Sequence, residues 1–393
     1  MSRIVSLAEV VSITAPQVDP RDPMFQDLPL VNGENIESGT GRLLYRRSAA
    51  SEGVISPKYL FEAGDILYSK LRPYLRKAVV ADGPGLCSAD MYPLRPIGGS
   101  IDPNWLVFLL LSTTFTDYAS EESARARMPK LNREQLLRFR FTLPDIKTQR
   151  SIAARIATQF AATARARTAG EAAKRHVRAL RNALVDEALG SVVGRRKVPL
   201  VELGSLADGD WILNADYAPT GVRLLQVGDV GSEVLRLKSN RFITAERAAE
   251  LGCTLLRPGD LLISRMAEPI GRTCILPDLG YPSITAVDVT VFRPRESLVD
   301  RQFLNVVMNS HEWLRSVEAQ ASGATRPRIS RTNLEALTVP FPPLHVQKHL
   351  VTRLSRRLEA VRVASVALDT QLEAIEHLPA ALLRSAFETV NAA

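Results

Sequence analysis

The chain has 393 residues, of which 46% are hydrophobic and 23% charged. This composition excludes a disordered polypeptide and allows two or three domains. Fifty Lys and Arg against 42 Asp and Glu give a net charge of +8, which suits an anionic partner such as nucleic acid but also an ordinary basic enzyme.

The cysteines and the apolar runs indicate the redox compartment of the chain and whether it associates with a membrane. Cys87, Cys253 and Cys274 form no C-x-x-C pair and no even set. They indicate a reducing cytoplasm and argue against a disulfide scaffold or a zinc ribbon. The N-terminal run MSRIVSLAEV lacks a signal-peptide core. The longest apolar run, residues 105–111, is too short to span a bilayer and predicts a buried helix, so we expect no membrane association.

An internal repeat governs the organisation of the chain. Residues 60–72 (LFEAGDILYSKLR) correspond to residues 255–267 (LLRPGDLLISRMA) at an offset of 195, and later matches have an offset of 198. In each half, short apolar runs broken by Gly, Pro and Asp predict strands of a mixed domain. We therefore predict two similar α/β domains, residues 1–143 and residues 191–341.

Each predicted domain is followed by a proline-marked boundary and a long helical pattern. The first pattern spans residues 144–190 and the second spans residues 342–390, and Gln149 and Gln347 occupy matching places. Proline near a helix start fits its fixed φ and missing N–H. Pro379 lies inside the second pattern and predicts a kink or break there.

Apolar residues in the second helix follow a heptad spacing, which predicts a partner helix, and the first helix begins a weaker seam that Ala-rich sequence interrupts. Because each helix matches the other, we predict that the two pair as an antiparallel coiled coil with pseudo-two-fold symmetry. A stiff pair of this kind would hold the two domains at a constant separation. The predicted pairing residues are Ile152, Ile156 and Phe160 in the first helix, and Leu354, Leu358, Val361, Leu368, Leu372 and Ile375 in the second.

The sequence lacks the familiar catalytic signatures. There is no phosphate-binding loop, no dinucleotide-binding glycine motif and no nucleophile elbow. His345 and His349 have the spacing of a zinc-binding pair, but no Glu follows His345 and the pair opens a predicted coiled-coil helix. We interpret them as solvated helix residues, and we predict neither a catalytic residue nor a metal site.

Positive charge is concentrated at equivalent places in the two halves. Arginine can engage guanine or a phosphate with two parallel hydrogen bonds. For any single arginine a solvated surface is the simpler interpretation, but matched clusters favour DNA contact. The candidate DNA-binding residues are Lys70, Arg72, Tyr74, Arg76, Lys77, Arg125, Arg127 and Lys130 in the first half, and Arg265, Arg272, Arg326, Arg328 and Arg331 in the second.

The ordered motifs resemble those of the specificity subunit of type I restriction–modification systems. In the second half they are residues 259–265 (GDLLISR), 292–294 (FRP), 322–330 (SGATRPRIS) and 339–347 (VPFPPLHVQ). The first half repeats them more loosely, with PDI at residues 144–146 and without the S-G-x-T loop. The resemblance covers nearly the whole chain.

This resemblance implies that each mixed domain is a target recognition domain that reads one half of an asymmetric, bipartite site in double-stranded DNA. The chain itself would be non-catalytic and would hold no cofactor. Its partners would be two methyltransferase subunits that bind S-adenosylmethionine, and possibly two motor-nuclease subunits that use ATP and Mg²⁺. The complex would be cytoplasmic.

Two other functions stay open on the residues alone. One is a stand-alone DNA-binding scaffold whose charge mainly keeps it soluble. The other is a nuclease or modification enzyme whose catalytic carboxylates are scattered and carry no recognisable motif. DNA cleavage or modification by the purified chain would support the enzyme, and the absence of an enriched split motif would support the scaffold.

Overall fold

The computed structural model describes residues 3–13, 15–124, 128–190, 196–266, 268–323 and 325–391. Compact units divide the chain in two: unit 1 comprises residues 1–172 and 368–393, and unit 2 comprises residues 173–367. Each unit therefore contains a mixed domain and parts of both long helices. No helix in these ranges is both long enough and apolar enough to cross a membrane.

Unit 1 begins with short strands and continues into helices packed on them. Its described strands are β1 (Arg3–Ser6), β2 (Val11–Ser12), β3 (Gln17–Val18), β4 (Pro29–Val31), β5 (Arg47–Ser48), β6 (Lys58–Phe61), β7 (Ile66–Ser69), β8 (Ala78–Val80), β9 (Gly85–Cys87), β10 (Met91–Pro96) and β11 (Arg140–Leu143). Its helices are α1 (Pro103–Leu111), α2 (Thr113–Ser123), α3 (Arg133–Arg138) and the start of α4 (Ile146–Gly190).

Unit 2 follows nearly the same order of elements. Its described strands are β12 (Lys197–Pro199), β13 (Gly204–Asp208), β14 (Val222–Leu225), β15 (Arg241–Ile243), β16 (Leu261–Ser264), β17 (Thr273–Ile275), β18 (Ser283–Thr285), β19 (Val289–Pro294) and β20 (Thr338–Pro340). Its helices are α5 (Leu200–Leu203), α6 (Ala245–Glu250), α7 (Arg301–Val307), α8 (His311–Ala319), α9 (Arg331–Ala336) and the start of α10 (Leu344–Asn391).

Sheet topology repeats between the units. An antiparallel four-stranded sheet has the order β2-β10-β7-β8 in unit 1 and β13-β19-β16-β17 in unit 2. The antiparallel pair β1–β11 corresponds to β12–β20, and the parallel pair β4–β9 corresponds to β14–β18. Unit 1 carries the extra strands β3 and β6 in its second sheet. The prediction of two similar mixed domains, each followed by a long helix, is confirmed.

The Gly-Asp and Arg-Pro motifs of each half meet in an ion pair. Asp65 accepts two hydrogen bonds of 2.9 Å from the Arg95 guanidinium, and Asp260 accepts bonds of 2.9 and 3.0 Å from Arg293. Each aspartate also caps a tight turn, since Asp260 accepts the backbone N–H of Arg257. Because both carboxylates are buried, these motif residues tie one strand to a turn and serve the scaffold.

Gln149 and Gln347, at the starts of the two long helices, show why the proline-marked boundary of each half is followed by a glutamine. Gln149 is fully buried; it accepts the backbone N–H of Asp102 at 2.8 Å and donates to the carbonyls of Ser100 and Pro144 at 2.9 and 2.8 Å. Gln347 makes the matching bonds in unit 2, beginning with the N–H of Asp300. Each glutamine thus joins the start of a long helix to the loop before a core helix.

Replacing Gln149 with Leu keeps the volume but leaves one buried N–H and two carbonyls unpaired. With three groups left unsatisfied at about 1–3 kcal/mol each, we expect unit 1 to lose at least about 3 kcal/mol of stability. Hydrogen exchange of α1 and the start of α4 measures the loss. Gln159→Leu, an exposed position on the same helix, should change exchange little; equal effects would contradict the role of the buried bonds.

Within unit 1, α4 and α10 pack against each other and run in opposite directions. Ile156 shares a core with Leu383 and Phe387 near the end of α10. Farther along α4, a Cβ on Gly170 would come within 2.8 Å of the Leu372 side chain. This close approach depends on the small residue. The described α10 continues through Pro379 without a break, so the predicted break there is wrong.

Within unit 2, the other parts of the same helices share the domain core. Leu184 and Ala188 of α4 belong to one apolar cluster with Leu350 and Leu354 of α10. Glu187 lies 3.9 Å from Arg357 across the pair. The residues predicted to form the helix seam are all buried or half-buried, namely Ile152, Ile156, Phe160, Leu354, Leu358, Val361, Leu368, Leu372 and Ile375.

Candidate nucleic-acid interface

An open, positively charged depression lies in unit 2 where β16 ends. Arg265 lines it and is only 3% exposed. Its guanidinium donates to the Val287 carbonyl at 2.6 Å and lies 3.3 Å from the Asp208 carboxylate. Burial lowers the pKa of Arg265, but an arginine stays charged near neutral pH. The fold therefore holds a desolvated cation in place.

Arg328 and Arg331 place two further guanidinium groups on the same depression. Arg328 lies 3.1 Å from Asp288, and Arg331 lies 4.0 Å from Asp208 and 3.3 Å from Glu335. Neither is fully buried, with about 37% and 49% of each side chain exposed. Three arginines and one aspartate, Asp208, line the depression, so its lining carries net positive charge, although Asp288 and Glu335 beside it balance part of that charge.

The loop between Ser322 and Arg328 is closed by backbone hydrogen bonds of 3.0 and 2.9 Å between these two residues. Gly323 has φ of 107°, and a Cβ there would lie 2.9 Å from the Arg326 carbonyl, so the tight turn requires glycine. Arg326 is exposed at this turn, and no ion pair involves it among the described residues. It is therefore available to a ligand.

Unit 1 has the same arrangement with lysines. Lys70 corresponds to Arg265 and donates to the Ala89 carbonyl, as Arg265 does to Val287. Its Nζ also lies 4.9 Å from the centre of the Tyr92 ring. Burial, followed by the charge of Lys130, lowers the pKa of Lys70. Lys130 is exposed and forms a backbone bridge with Leu71.

The loop from β7 to β8 presents an exposed arginine and tyrosine. Arg72 and Arg76 have left-handed φ values of 49° and 46° on either side of the short helical turn Pro73–Leu75. Such conformations cost about 1–3 kcal/mol each and are concentrated at functional sites. Tyr74 is 54% exposed and Arg72 is exposed. Lys77 is directed inward to the Gly33 carbonyl.

Arg272 is the predicted DNA-binding residue whose surroundings fit that role least. It is 7% exposed and donates to the carbonyls of Val230, Val227 and Pro269 at 2.6, 2.8 and 3.1 Å. These bonds make it a clamp between loops, and we leave it out of the proposed interface. Arg125 and Arg127 lie outside the described residues.

Sequence reasoning missed two exposed arginines on edge strands, Arg47 in β5 and Arg241 in β15. They are 194 positions apart, whereas the repeat offset of 195 aligns Arg241 with Arg46, so a comparison at that offset alone would not have paired them. No motif marks them because each stands in a very short strand. Among the described residues, no group of three or more His, Cys, Asp or Glu is placed to hold a metal ion.

The fold and these sites define a class of protein in which a mixed domain with a basic surface occurs twice, with two long helices packed into both units. A family model described as "Type I restriction modification DNA specificity domain" matches residues 203–373. The resemblance indicated by the sequence motifs is confirmed by this match.

Curated relatives carry the same description. Residues of this chain are 40% identical over 127 positions to the type I restriction enzyme EcoDI specificity subunit of Escherichia coli, covering 32% of this chain and 28% of the relative. The MjaVIII specificity subunit of Methanocaldococcus jannaschii is 24% identical over 160 positions, covering 40% and 38%. These alignments span about a third of the relatives' length.

Solved structures extend the likeness to the whole chain. A chain from work on complex assembly and conformational transition of the type I R-M system superposes with a TM-score of 0.74 at 22% identity, covering 98% of this chain and 97% of that one. The HsdS subunit from Thermoanaerobacter tengcongensis gives a TM-score of 0.52 at 21% identity, covering 98% and 96%. The chain therefore shares the fold of these two solved chains.

Proposed function

We propose that this chain is the DNA specificity subunit of a type I restriction–modification complex. Unit 1 reads one half of a bipartite site and unit 2 reads the other, and the chain is not itself a catalyst. The repeated placement of a buried cation beside a more exposed one carries the proposal. Lys70 with Lys130 in unit 1 has the same place in the sheet as Arg265 with Arg328 in unit 2.

The electrostatics favour DNA as the ligand. In each unit the buried cation is held by a carbonyl and cannot be released to solvent, so its charge is directed at one surface. Phosphate oxygens are a natural partner for such a surface, since phosphate contacts position a protein on DNA and side chains in the grooves specify the sequence. Because the basic residues of unit 1 differ from those of unit 2, the two half-sites should differ in sequence.

The partners of the complex are part of the proposal. A methyltransferase subunit would bind S-adenosylmethionine and carry out the modification, and a motor-nuclease subunit would supply ATP- and Mg²⁺-dependent cleavage. Such a complex acts on DNA in the cytoplasm. The fixed spacing between half-sites stays a prediction from the heptad pattern. An enzyme with scattered carboxylates is the alternative, and the purified chain with Mg²⁺ and S-adenosylmethionine should then cut or methylate DNA by itself.

Selection from a random duplex pool tests the proposal. The chain, co-expressed with the methyltransferase subunit of its own organism, is mixed with the pool, and the retained DNA is sequenced. We expect a motif of two unlike parts separated by unspecified bases. Retained DNA without any split motif would contradict the proposed function.

The Arg326→Ala variant tests, in the same experiment, whether each unit reads only its own half-site. Loss of a good arginine–base contact costs about 1–3 kcal/mol of discrimination. We expect the base preference at one position of one half-site to fall by roughly 5- to 150-fold. The base preferences of the other half-site should stay as in the wild type. Arg315→Ala, an exposed position on α8, removes the same charge and should leave both halves intact. Equal relaxation of both halves would contradict the proposal.

A further inference from the structure

Two arginines outside the predicted clusters occupy the same topological position in the two units. In unit 1, Leu30 of β4 pairs with Arg47 of the antiparallel edge strand β5. In unit 2, Leu224 of β14 pairs with Arg241 of the antiparallel edge strand β15. Both leucines also pair with the equivalent parallel strand on their other side, β9 or β18. The register therefore makes Arg47 and Arg241 counterparts.

Both arginines are exposed and both lie on a tyrosine ring. The guanidinium carbon of Arg47 is 5.3 Å from the centre of the Tyr45 ring, and that of Arg241 is 4.5 Å from the centre of the Tyr217 ring. The Arg47 side chain is 63% exposed. A stacked guanidinium keeps its planar fork oriented and its N–H donors free at the edge. That geometry suits a planar ligand with two adjacent acceptors.

Tyr217 is held by the fold and can orient its arginine. The next residue, Ala218, donates its backbone N–H to the Phe242 carbonyl of β15 at 2.8 Å. The tyrosine itself packs against the apolar cluster beneath the sheet. No ion pair occupies Arg241 among the described residues. In unit 1, Glu52 approaches Arg47 at 3.3 Å, which is a weak surface pair.

The position of the two arginines relative to the buried cations is also shared. Strand β18 runs directly into Val287, whose carbonyl holds Arg265, and β9 runs into Ala89, whose carbonyl holds Lys70. The edge strand lies two strands away from β18 or β9. At about 4.8 Å between strands, this is roughly 10 Å. The major groove is about 12 Å wide, so a phosphate at the buried cation would place the edge strand near base edges.

The surroundings of the shared arginine differ between the units. Next to it in the register, unit 1 has Pro29 opposite Ser48, whereas unit 2 has Arg223 opposite Phe242. The Arg223 guanidinium in turn lies 5.8 Å from both the Phe242 and the Tyr281 rings. The arginine that the two units share is therefore surrounded by different side chains in each unit.

We propose that Arg47 and Arg241 each read a guanine in the major groove, one in each half-site, with the stacked tyrosine holding the guanidinium in the plane of the base. The inference rests on the proposed function and adds to it the residues that specify one base in each half. Guanine offers O6 and N7 as adjacent acceptors to an arginine fork.

The selection experiment with the methyltransferase-bound chain tests this inference through four variants. Arg241→Ala should reduce the preference for one guanine in one half-site by about 5- to 150-fold. Arg47→Ala should do the same in the other half. Arg241→Lys should weaken the preference, since a flexible ammonium lacks the planar fork that the tyrosine ring orients, although it can still bond guanine. Arg315→Ala should leave the motif unchanged.

The results separate the inference from the proposed function. If the wild type selects a split motif and Arg241→Ala selects the same motif, the inference is wrong and the function stands. Equal weakening at all positions, with Arg241→Lys restoring binding, would show a phosphate contact and overturn base reading. If the wild type selects no split motif, the function itself fails. Hydrogen exchange of β14 and β15 for the unit 2 variants, and of β4 and β5 for Arg47→Ala, confirms that each variant is folded.

Discussion

Arg293→Ala is expected to destabilise unit 2 by about 3 kcal/mol. Removal of one partner from a buried ion pair costs about 3–5 kcal/mol, because the other charge is left without compensation. Here the Asp260 side chain is 5% exposed and would lose both guanidinium bonds. It would keep the N–H of Arg257, which places the effect at the lower end. Urea unfolding followed by hydrogen exchange of β16 and β19 measures it.

Arg362→Ala is the matched control for this experiment. Arg362 also makes two short bonds to a carboxylate, at 2.7 and 2.6 Å to Glu359, but both side chains are about half exposed. Exposed pairs of this kind contribute little to stability, because water and salt screen the two charges. Similar losses for the two variants would show that burial of Asp260 does not determine the strength of the motif ion pair.

Ile156→Asp is expected to disrupt the helix packing of unit 1, with a loss of at least about 4 kcal/mol. Ile156 is fully buried in the core that also contains Trp105 and Leu383. An unpaired carboxylate there meets apolar side chains, and a buried charge without a partner is among the most costly substitutions. We expect faster hydrogen exchange in α1 and at both helix segments of unit 1.

Ala157→Asp tests whether the destabilisation by Ile156→Asp comes from burial of the charge or from the lower helix propensity of Asp. Ala157 is the next residue of α4 and is exposed. An exposed Ala→Asp change costs roughly 0.7 kcal/mol or less through helix propensity. Comparable destabilisation by both variants would contradict packing of α4 against the unit 1 core.

The fold was largely predictable because the internal repeat and the periodic apolar patterns can be read directly from the sequence. The offset between residues 60–72 and residues 255–267 identified the duplicated domain, and the observed strands β7 and β16 lie at those places. A proline-marked boundary and a helical pattern identified both long helices, and the second also showed a clear heptad spacing. The predicted break at Pro379 failed, since a single unfavourable residue did not interrupt a helix of 48 residues.

The candidate site was less predictable, because charge in a sequence does not reveal where a side chain is directed. Arg265, Arg272 and Lys70 looked like surface cations, yet each is less than 9% exposed and bound to carbonyls. Arg47 and Arg241 carried no motif. Their equivalence depends on strand register, which pairs residues far apart in the chain.

The sequence by itself determined the duplication, the class of each domain, the two long helices and the resemblance to type I specificity subunits. These follow from spacing along one dimension. Only the tertiary structure decided which of the repeated motif residues serve the scaffold, as Asp260 and Arg293 do, and which arginines remain exposed to a ligand. Burial and hydrogen-bond partners decide that question, and both arise when segments up to half a chain apart pack together.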